Sequence, residues 1–341
     1  MCQGTPNAHF RFGNPMLPGS LPRMTGPLLL LDAASLYFRA FYGVPDRRDN
    51  PRDPPTNAVR GFLDMISSLA TTHSPGGIVA CWDDDWRPAF RVAAIPGYKA
   101  HRVRIGADGM EREDTPEELD VQVPLIADAL RAVGIPRIGC PGYEADDVLG
   151  TLTQRWARTP TRPMPRIHVV TGDRDLFQLV DDDREVDVLY IAKNGVRGAE
   201  VVDEAYLLQT YGVRGGAGYA DFAILRGDPS DGLPGVRGVG DKTARALLEA
   251  HGDLAGLRAA AADPDSSLTA AQRKKIVESS DYLDLAPHVV HVARDAPVRD
   301  FSPLVPRRVN DVRLLSQLAH DYRLGTTLER LLTALRIGEA D

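Results

Sequence analysis

Apolar runs and helical-period segments alternate along the first two-thirds of the chain. Leu28–Leu31 is continuously apolar and ends in Asp32, and "DAASLYFRAFYGV" then returns apolar residues at helical spacing. A strand followed by a helix is expected there. "AVRGFLDMISSLA" reads as an amphipathic helix, and "GGIVACW" (Gly76–Trp82) as a second strand with "DDD" at its end. "DVQVPLIADALRAVG" predicts a helix and "IPRIGC" a short strand. "GYEADDVLGTL" opens a helix that runs to about Ala157. "PRIHVV" (Pro165–Val170) predicts a strand that stops at "TGDRD", with "LFQLV" continuing as helix and "VDVLYIA" as another strand. Such alternation points to a parallel α/β sheet.

The pattern also divides the chain. Residues 1–26 carry Gly, Pro, Asn and Ser without periodicity and read as a disordered lead-in. Residues 27–204 hold the strand–helix alternation, with a polar stretch rich in turn formers at 96–118. Residues 205–341 read as helical, apart from the Gly-rich "GLPGVRGVGDKT".

Composition adds mainly exclusions. The 341 residues are 43% hydrophobic and 26% charged, ordinary for a globular chain. There is no apolar run long enough to span a membrane, and no membrane partner is expected. Cys2, Cys81 and Cys140 form neither a metal spacing nor an even disulfide framework, which fits a reduced, cytoplasmic setting. The eight histidines show no paired spacing, which argues against a His-based metal site. A net charge of −7 means that no global basic field draws in nucleic acid, so such binding must rest on local patches.

The acids themselves are placed unusually. Asp32, Asp83 (with Asp84 and Asp85), Glu144, Asp146, Asp147, Asp173 and Asp175 all follow a strand or open a helix. In an open parallel sheet the carboxyl ends of the strands line one crevice, so these acids are expected to converge. That many carboxylates cannot all stay ionised unaided. A hard divalent cation such as Mg²⁺ resolves the conflict, and two ions about 3.5–4 Å apart suit phosphodiester hydrolysis. Taken singly, each acid reads better as a helix N-cap than as a ligand, Asp175 especially. Caps do not explain three carboxylates within four residues, nor their return at every strand end.

Five segments in order carry a resemblance: "LLLLDAASLYFRAFYGVP", "RPAFRVAAIPGYKAHR", "GYEADDVLGTL", "VVTGDRDLFQLV" and "RGDPSDGLPGVRGVGDKTARALL". Together they resemble the bacterial 5′–3′ exonuclease family, meaning the 5′ nuclease domain of DNA polymerase I and its stand-alone relatives, and more distantly flap endonucleases. The resemblance covers about residues 27–330. It implies a PIN-like α/β core over 27–204 with a clamp or arch around 96–118, and a helical DNA-binding part over 205–341 with a helix-hairpin-helix around 233–252. No polymerase domain follows, so the stand-alone form is expected.

By match of motif, the resemblance assigns Asp32, Asp83, Glu144, Asp146, Asp147, Asp173, Asp175 and Asp231 to the metal site. "WDDDWRPAF" is one residue longer than the family pattern, which leaves Asp84 as an alternative to Asp83. The usual Asp-Asn is here Asp231-Gly232, and Asp228 lies in the same segment. Lys99 and Arg102 match arch residues that contact the scissile phosphate, and Arg39 matches another positively charged active-site residue. Gly235, Gly238 and Gly240 let backbone N–H groups approach a phosphate, with Lys242 and Thr243 in the following first turn. The carbonyls of Leu225, Arg226, Pro234, Val236 and Val239 match positions that hold a K⁺ ion in the family.

The expected function is a stand-alone 5′–3′ exonuclease and 5′-flap nuclease of DNA replication and repair, using two Mg²⁺ or Mn²⁺ ions. Its partner is DNA with a 5′ end or flap, and the chain is expected to be a monomer. Two other readings share some features. A PIN-type ribonuclease has the acidic crevice but usually a shorter chain without the helix-hairpin-helix. A haloacid-dehalogenase-like phosphatase also opens with an Asp after a strand, but needs a second Asp where Ala34 stands.

Overall fold

In the computed structural model, residues 24–48, 50, 52–106, 108–157 and 165–338 are described. Most of the expected lead-in, residues 1–23, lies outside them. Among the described residues eight strands occur in chain order: β1 (Leu28–Asp32), β2 (Gly77–Cys81), β3 (Val103–Ile105), β4 (Glu111–Glu113), β5 (Arg137–Ile138), β6 (Ile167–Thr171), β7 (Val186–Tyr190) and β8 (Glu200–Val202). Six form one sheet in the order β5-β2-β1-β6-β7-β8. All its neighbours run parallel except β8, which returns antiparallel to β7.

The period of two is visible in β1. Leu28 and Leu30 enter one buried cluster, Leu29 and Leu31 the other. Both faces of the sheet are therefore covered, which is why its strands read as unbroken apolar runs rather than alternating ones. β1 lies between β2 and β6, so the chain leaves it in opposite directions across the sheet. A crevice opens at such a switch point, beyond the carboxyl ends of the strands.

One face is covered by the helices Ala33–Gly43, Asn57–His73 and Val123–Val133. The other is covered by the helix Ala145–Ala157 and, continuous with it, by the helical part from Glu204 onward. Phe177, just past β6, seats this helical part, its ring 5.2 Å from that of Tyr219 on the helix Gly215–Arg226. The last two helices, Val312–Asp321 and Gly325–Ala334, behave differently from the expected 205–341 unit. Their Leu318, Leu328 and Leu331 pack into the sheet-side cluster with Phe62 and Ile66, and Arg330 pairs with Asp64 at 2.6 Å.

Two local expectations change. "LFQLV" forms a 3-10 turn, Asp175–Leu179, rather than an α-helix. The 96–118 segment is a short turn at Ala100–Arg102 followed by an antiparallel hairpin, β3 with β4. Among the described residues, no helix is long and apolar enough to cross a membrane.

Candidate active site

Each acid's place follows from the element that carries it. Asp32 ends β1 and caps the next helix. Its Oδ1 accepts the Ser35 N–H at 3.0 Å, and its Oδ2 accepts the Thr171 hydroxyl at 2.7 Å. The capping reading thus holds for Asp32, and the same side chain still lines the crevice. Asp83 follows β2, and its Oδ1 accepts the Ala145 N–H at 2.8 Å, tying the first turn of the helix Ala145–Ala157 to the end of β2. Asp84 turns the other way. It lies over Gly139, where a Cβ would meet its carboxyl at 2.3 Å, and pairs with Arg137 at 3.1 Å.

Asp32, Asp83, Glu144, Asp146 and Asp173 all line one crevice of about 390 Å³. Two further acids line it, Asp228 and Glu113. Glu113 lies in β4, away from the ends of the main strands, so no strand-end signal marks it. Against these seven carboxylates stand three cations, Lys99, Arg102 and Arg174. A larger groove of about 930 Å³ among the helices carries three acids and two arginines, so the unbalanced charge belongs to the smaller crevice.

The imbalance shows in protonation. Burial pushes Asp32 up to about 7, with Asp83 and Asp173 adding to the rise. Burial also pushes Glu144 up to about 7, while Lys99 and Arg91 pull it down. Asp146 is raised well above the ordinary carboxylate range by burial and then by Asp32, Asp173 and Glu144. Its carboxylate has no hydrogen bond or ion pair among the described residues, so a positive charge is what its surroundings lack.

Three expected acids do not line the crevice. Asp147 is taken up entirely by the protein. Arg91 holds both its oxygens at 2.7 Å, and the backbone N–H groups of Glu144 and Ala293 complete its shell at 3.1 and 2.8 Å. Helical spacing correctly puts Glu144 and Asp147 on one face, but that face meets Arg91. Asp175 lies behind Asp173, which accepts the Asp175 N–H at 2.8 Å. Asp231 is paired with Arg102 at 2.9 Å.

The bases are equally specific. Lys99 Nζ donates to Glu144 Oε1 at 2.8 Å and lines the crevice. Arg102 donates to the Ser230 carbonyl at 2.7 Å as well as to Asp231, and the Lys99 N–H reaches the Asp231 carbonyl at 3.0 Å. The 96–114 segment is thereby clipped to the 228–232 loop. Arg39 does not line the crevice; it donates to the Ala192 carbonyl at 2.8 Å. Arg91, from the same basic stretch of sequence as Lys99 and Arg102, is fully buried among acids rather than open to a phosphate. Trp86 also lines the crevice, with Phe38.

Past Asp231, the Gly-rich loop packs against the helix Gly215–Arg226. Gly235 is at φ +65, and a Cβ there would meet the Arg226 carbonyl at 2.4 Å, so only glycine fits. The Leu225 carbonyl accepts the Val236 N–H and the Val236 carbonyl accepts the Val239 N–H, both at 2.9 Å. Pro234, Gly238, Gly240 and Lys242 are exposed, and Thr243 is half-buried at the start of the helix Asp241–His251. Lys275 donates to the Gly238 carbonyl at 3.2 Å and braces the loop.

The donor set fits a hard cation. It is oxygen-only and carries excess negative charge. Among the described residues, no group of three His, Cys, Asp or Glu side chains forms a ready-made cage for one ion. Mg²⁺ typically binds through one or two carboxylates, with waters and substrate phosphates completing its shell, so an open acidic crevice suits it better than a closed cage does.

Comparison with known proteins places this geometry. Residues 27–212 match the family described as 5′-3′ exonuclease, N-terminal resolvase-like domain, and residues 215–311 match 5′-3′ exonuclease, C-terminal SAM fold. The second match stops just short of the two helices that return to the sheet. A 5′-3′ exonuclease of Streptomyces coelicolor is 54% identical over 308 residues, 90% of this chain and 99% of that protein. One from Mycobacterium tuberculosis is 45% identical over 320 residues, 92% and 98% of the two chains. The fold is shared with the bacteriophage T5 D15 flap endonuclease, solved as a pseudo-enzyme-product complex with DNA and metal ions. There the TM-score is 0.56 at 16% identity, covering 91% of this chain and 99% of that one.

Proposed function

The chain belongs to the 5′–3′ exonuclease family, and we propose that it hydrolyses DNA phosphodiesters at 5′ ends and at 5′ flaps, with two divalent cations in the acidic crevice. The observation that carries this reading is the crevice's seven carboxylates against three cations, at the carboxyl ends of β1, β2 and β6. When bound, the cations supply an activated water and neutralise charge at the leaving oxygen.

The residues divide the remaining work. Asp32, Asp83, Glu144 and Asp146 would hold one cation, and Asp173 and Asp228 the other, with Asp175 and Asp231 supporting the second. Lys99, half-buried beside Glu144, carries a fixed positive charge to the place where a phosphate oxygen gains negative charge. Arg102 fixes the hairpin against the 228–232 loop and can exchange Asp231 for phosphate. The exposed glycines 238 and 240, with Lys242 and Thr243, grip the duplex backbone without reading sequence. Mg²⁺ or Mn²⁺ is the metal of this reading, and a K⁺ ion on the carbonyls of Leu225, Arg226, Pro234, Val236 and Val239 would steady the loop.

The test is incubation with a 5′-flap duplex and with blunt, nicked and RNA controls, with and without Mg²⁺. Metal-dependent release of short 5′ products from DNA is expected. Equal cleavage in EDTA, or a preference for RNA, overturns the reading.

A further inference from the structure

Arg226 is the last residue of the helix Gly215–Arg226, where a base ordinarily complements the helix dipole from solvent. Its side chain does something else. It folds back, only 11% exposed, with Nε donating to the Gly227 carbonyl at 3.0 Å and the guanidinium 5.8 Å from the Phe222 ring. Nη2 then lies 3.9 Å from Asp175 Oδ1 and 3.7 Å from Asp228 Oδ2. These are ion-pair distances, too long for hydrogen bonds, so the charge is delivered without occupying a carboxylate lone pair. Arg226 Nη1 and the Tyr219 hydroxyl are both buried and make no hydrogen bond among the described residues. Two orphaned polar groups thus stand near Asp175. Burying such groups is unfavourable, which makes this a site rather than a surface arginine that happened to fold inward.

The acids in and behind the crevice are unequally partnered. Asp231 has Arg102, and Asp175 and Asp228 share Arg226, while Asp146 has no hydrogen bond or ion pair among the described residues. We propose that Arg226 is a positioning residue, a built-in counter-charge for Asp175 and Asp228 that makes the two cation sites unequal. This rests on the two-cation reading above. A guanidinium this close repels a divalent ion while holding the empty carboxylates in place. The second cation is therefore bound weakly until a substrate phosphate adds its own negative charge.

The experiment is Mn²⁺ titration of the metal-free chain, followed by calorimetry and by the loss of the free-Mn²⁺ electron-spin-resonance signal. Wild type is expected to bind two ions with unequal affinity. Arg226→Met should tighten the weaker site by about tenfold or more while leaving the tighter one within about twofold, the size expected for one nearby charge. Arg226→Lys, which keeps the charge, should stay near wild type. Arg226→Gln repeats the neutral test if the Met variant does not fold. If wild type binds two ions and the neutral variants leave the weaker site unchanged or weaken it, or shift it as Lys does, Arg226 has no such role. If wild type binds no Mn²⁺, the two-cation reading itself falls, and this proposal with it.

Discussion

Arg91 grips Asp147 through two parallel hydrogen bonds, Nη1 to Oδ2 and Nη2 to Oδ1, both at 2.7 Å. The same guanidinium reaches Glu144 Oε2 at 3.2 Å and, through Nε, the Val289 carbonyl at 2.9 Å. It thereby joins the crevice wall to the helical part. Removing one partner leaves a buried charge unpaired.

Asp147→Ala is therefore expected to act on stability, costing about 3–5 kcal/mol. Arg91→Met should do the same, while the double variant Arg91→Met/Asp147→Leu should lose less than the sum of the two. Urea unfolding of the three variants measures this. A wild-type midpoint for Asp147→Ala would contradict the assignment.

Asp83 and Asp84 adjoin in sequence and part in space. Asp83→Ala should remove most cleavage, since it loses both a crevice carboxylate and the anchor of the Ala145 N–H. Asp84→Ala breaks only a partly exposed pair with Arg137, worth about 1 kcal/mol or less. Flap cleavage rates of the two variants decide between them, and equal loss in both would reject the division of roles.

The crevice acids also set a pH dependence. Asp32 and Glu144 rise from their ordinary 3.8 and 4.5 to about 7, burial being the first cause. From the unfolded values up to about pH 7 the folded chain then holds more protons than the unfolded one. Stability from these groups is greatest on the acid side and falls as pH rises through that window. Without metal, these groups lower the Tm by a few degrees between about pH 5.5 and pH 8. Excess Mg²⁺ should restore the loss at the higher pH and do little at the lower, where protons compete. Thermal melts in EDTA and in Mg²⁺ at both pH values check this, with Asp32→Asn flattening the metal-free dependence.

Two glycines of the loop give a paired test. Gly235→Ala forces a Cβ to 2.4 Å from the Arg226 carbonyl at a positive φ, and should weaken duplex binding about tenfold by distorting the loop. Gly240, at φ −106, has nothing within 4 Å of a built Cβ, so Gly240→Ala should keep a wild-type melting temperature, and its loss of duplex affinity should come from crowding the phosphate rather than from a distorted loop. Thermal melts and affinity for a non-cleavable duplex measure both.

Much of this was legible in the chain because β-sheet physics puts strand ends at one edge. Asp32, Asp83 and Asp173 each follow an apolar run, and each lines the crevice. Asp147 was misread because helical spacing reports which residues share a face but not what that face meets. Glu113 and Arg226 carried no signal, since their positions depend on a hairpin and a helix end folding back from distant sequence. The turn-rich "VRIGADGMERE" did hold the hairpin's pattern, two short polar strands about a Gly-containing turn.

The clip between Lys99, Arg102 and the 228–232 loop has a bearing on synthesis. One wall of the crevice is emitted by the ribosome about 130 residues after the other, and domains fold broadly in the order they emerge. A nascent chain that has finished its sheet but not its Asp228–Gly232 turn lacks Asp228, Asp231 and the latch that holds Lys99. The crevice is therefore completed only once residues 228–232 have been made and have closed onto Lys99 and Arg102.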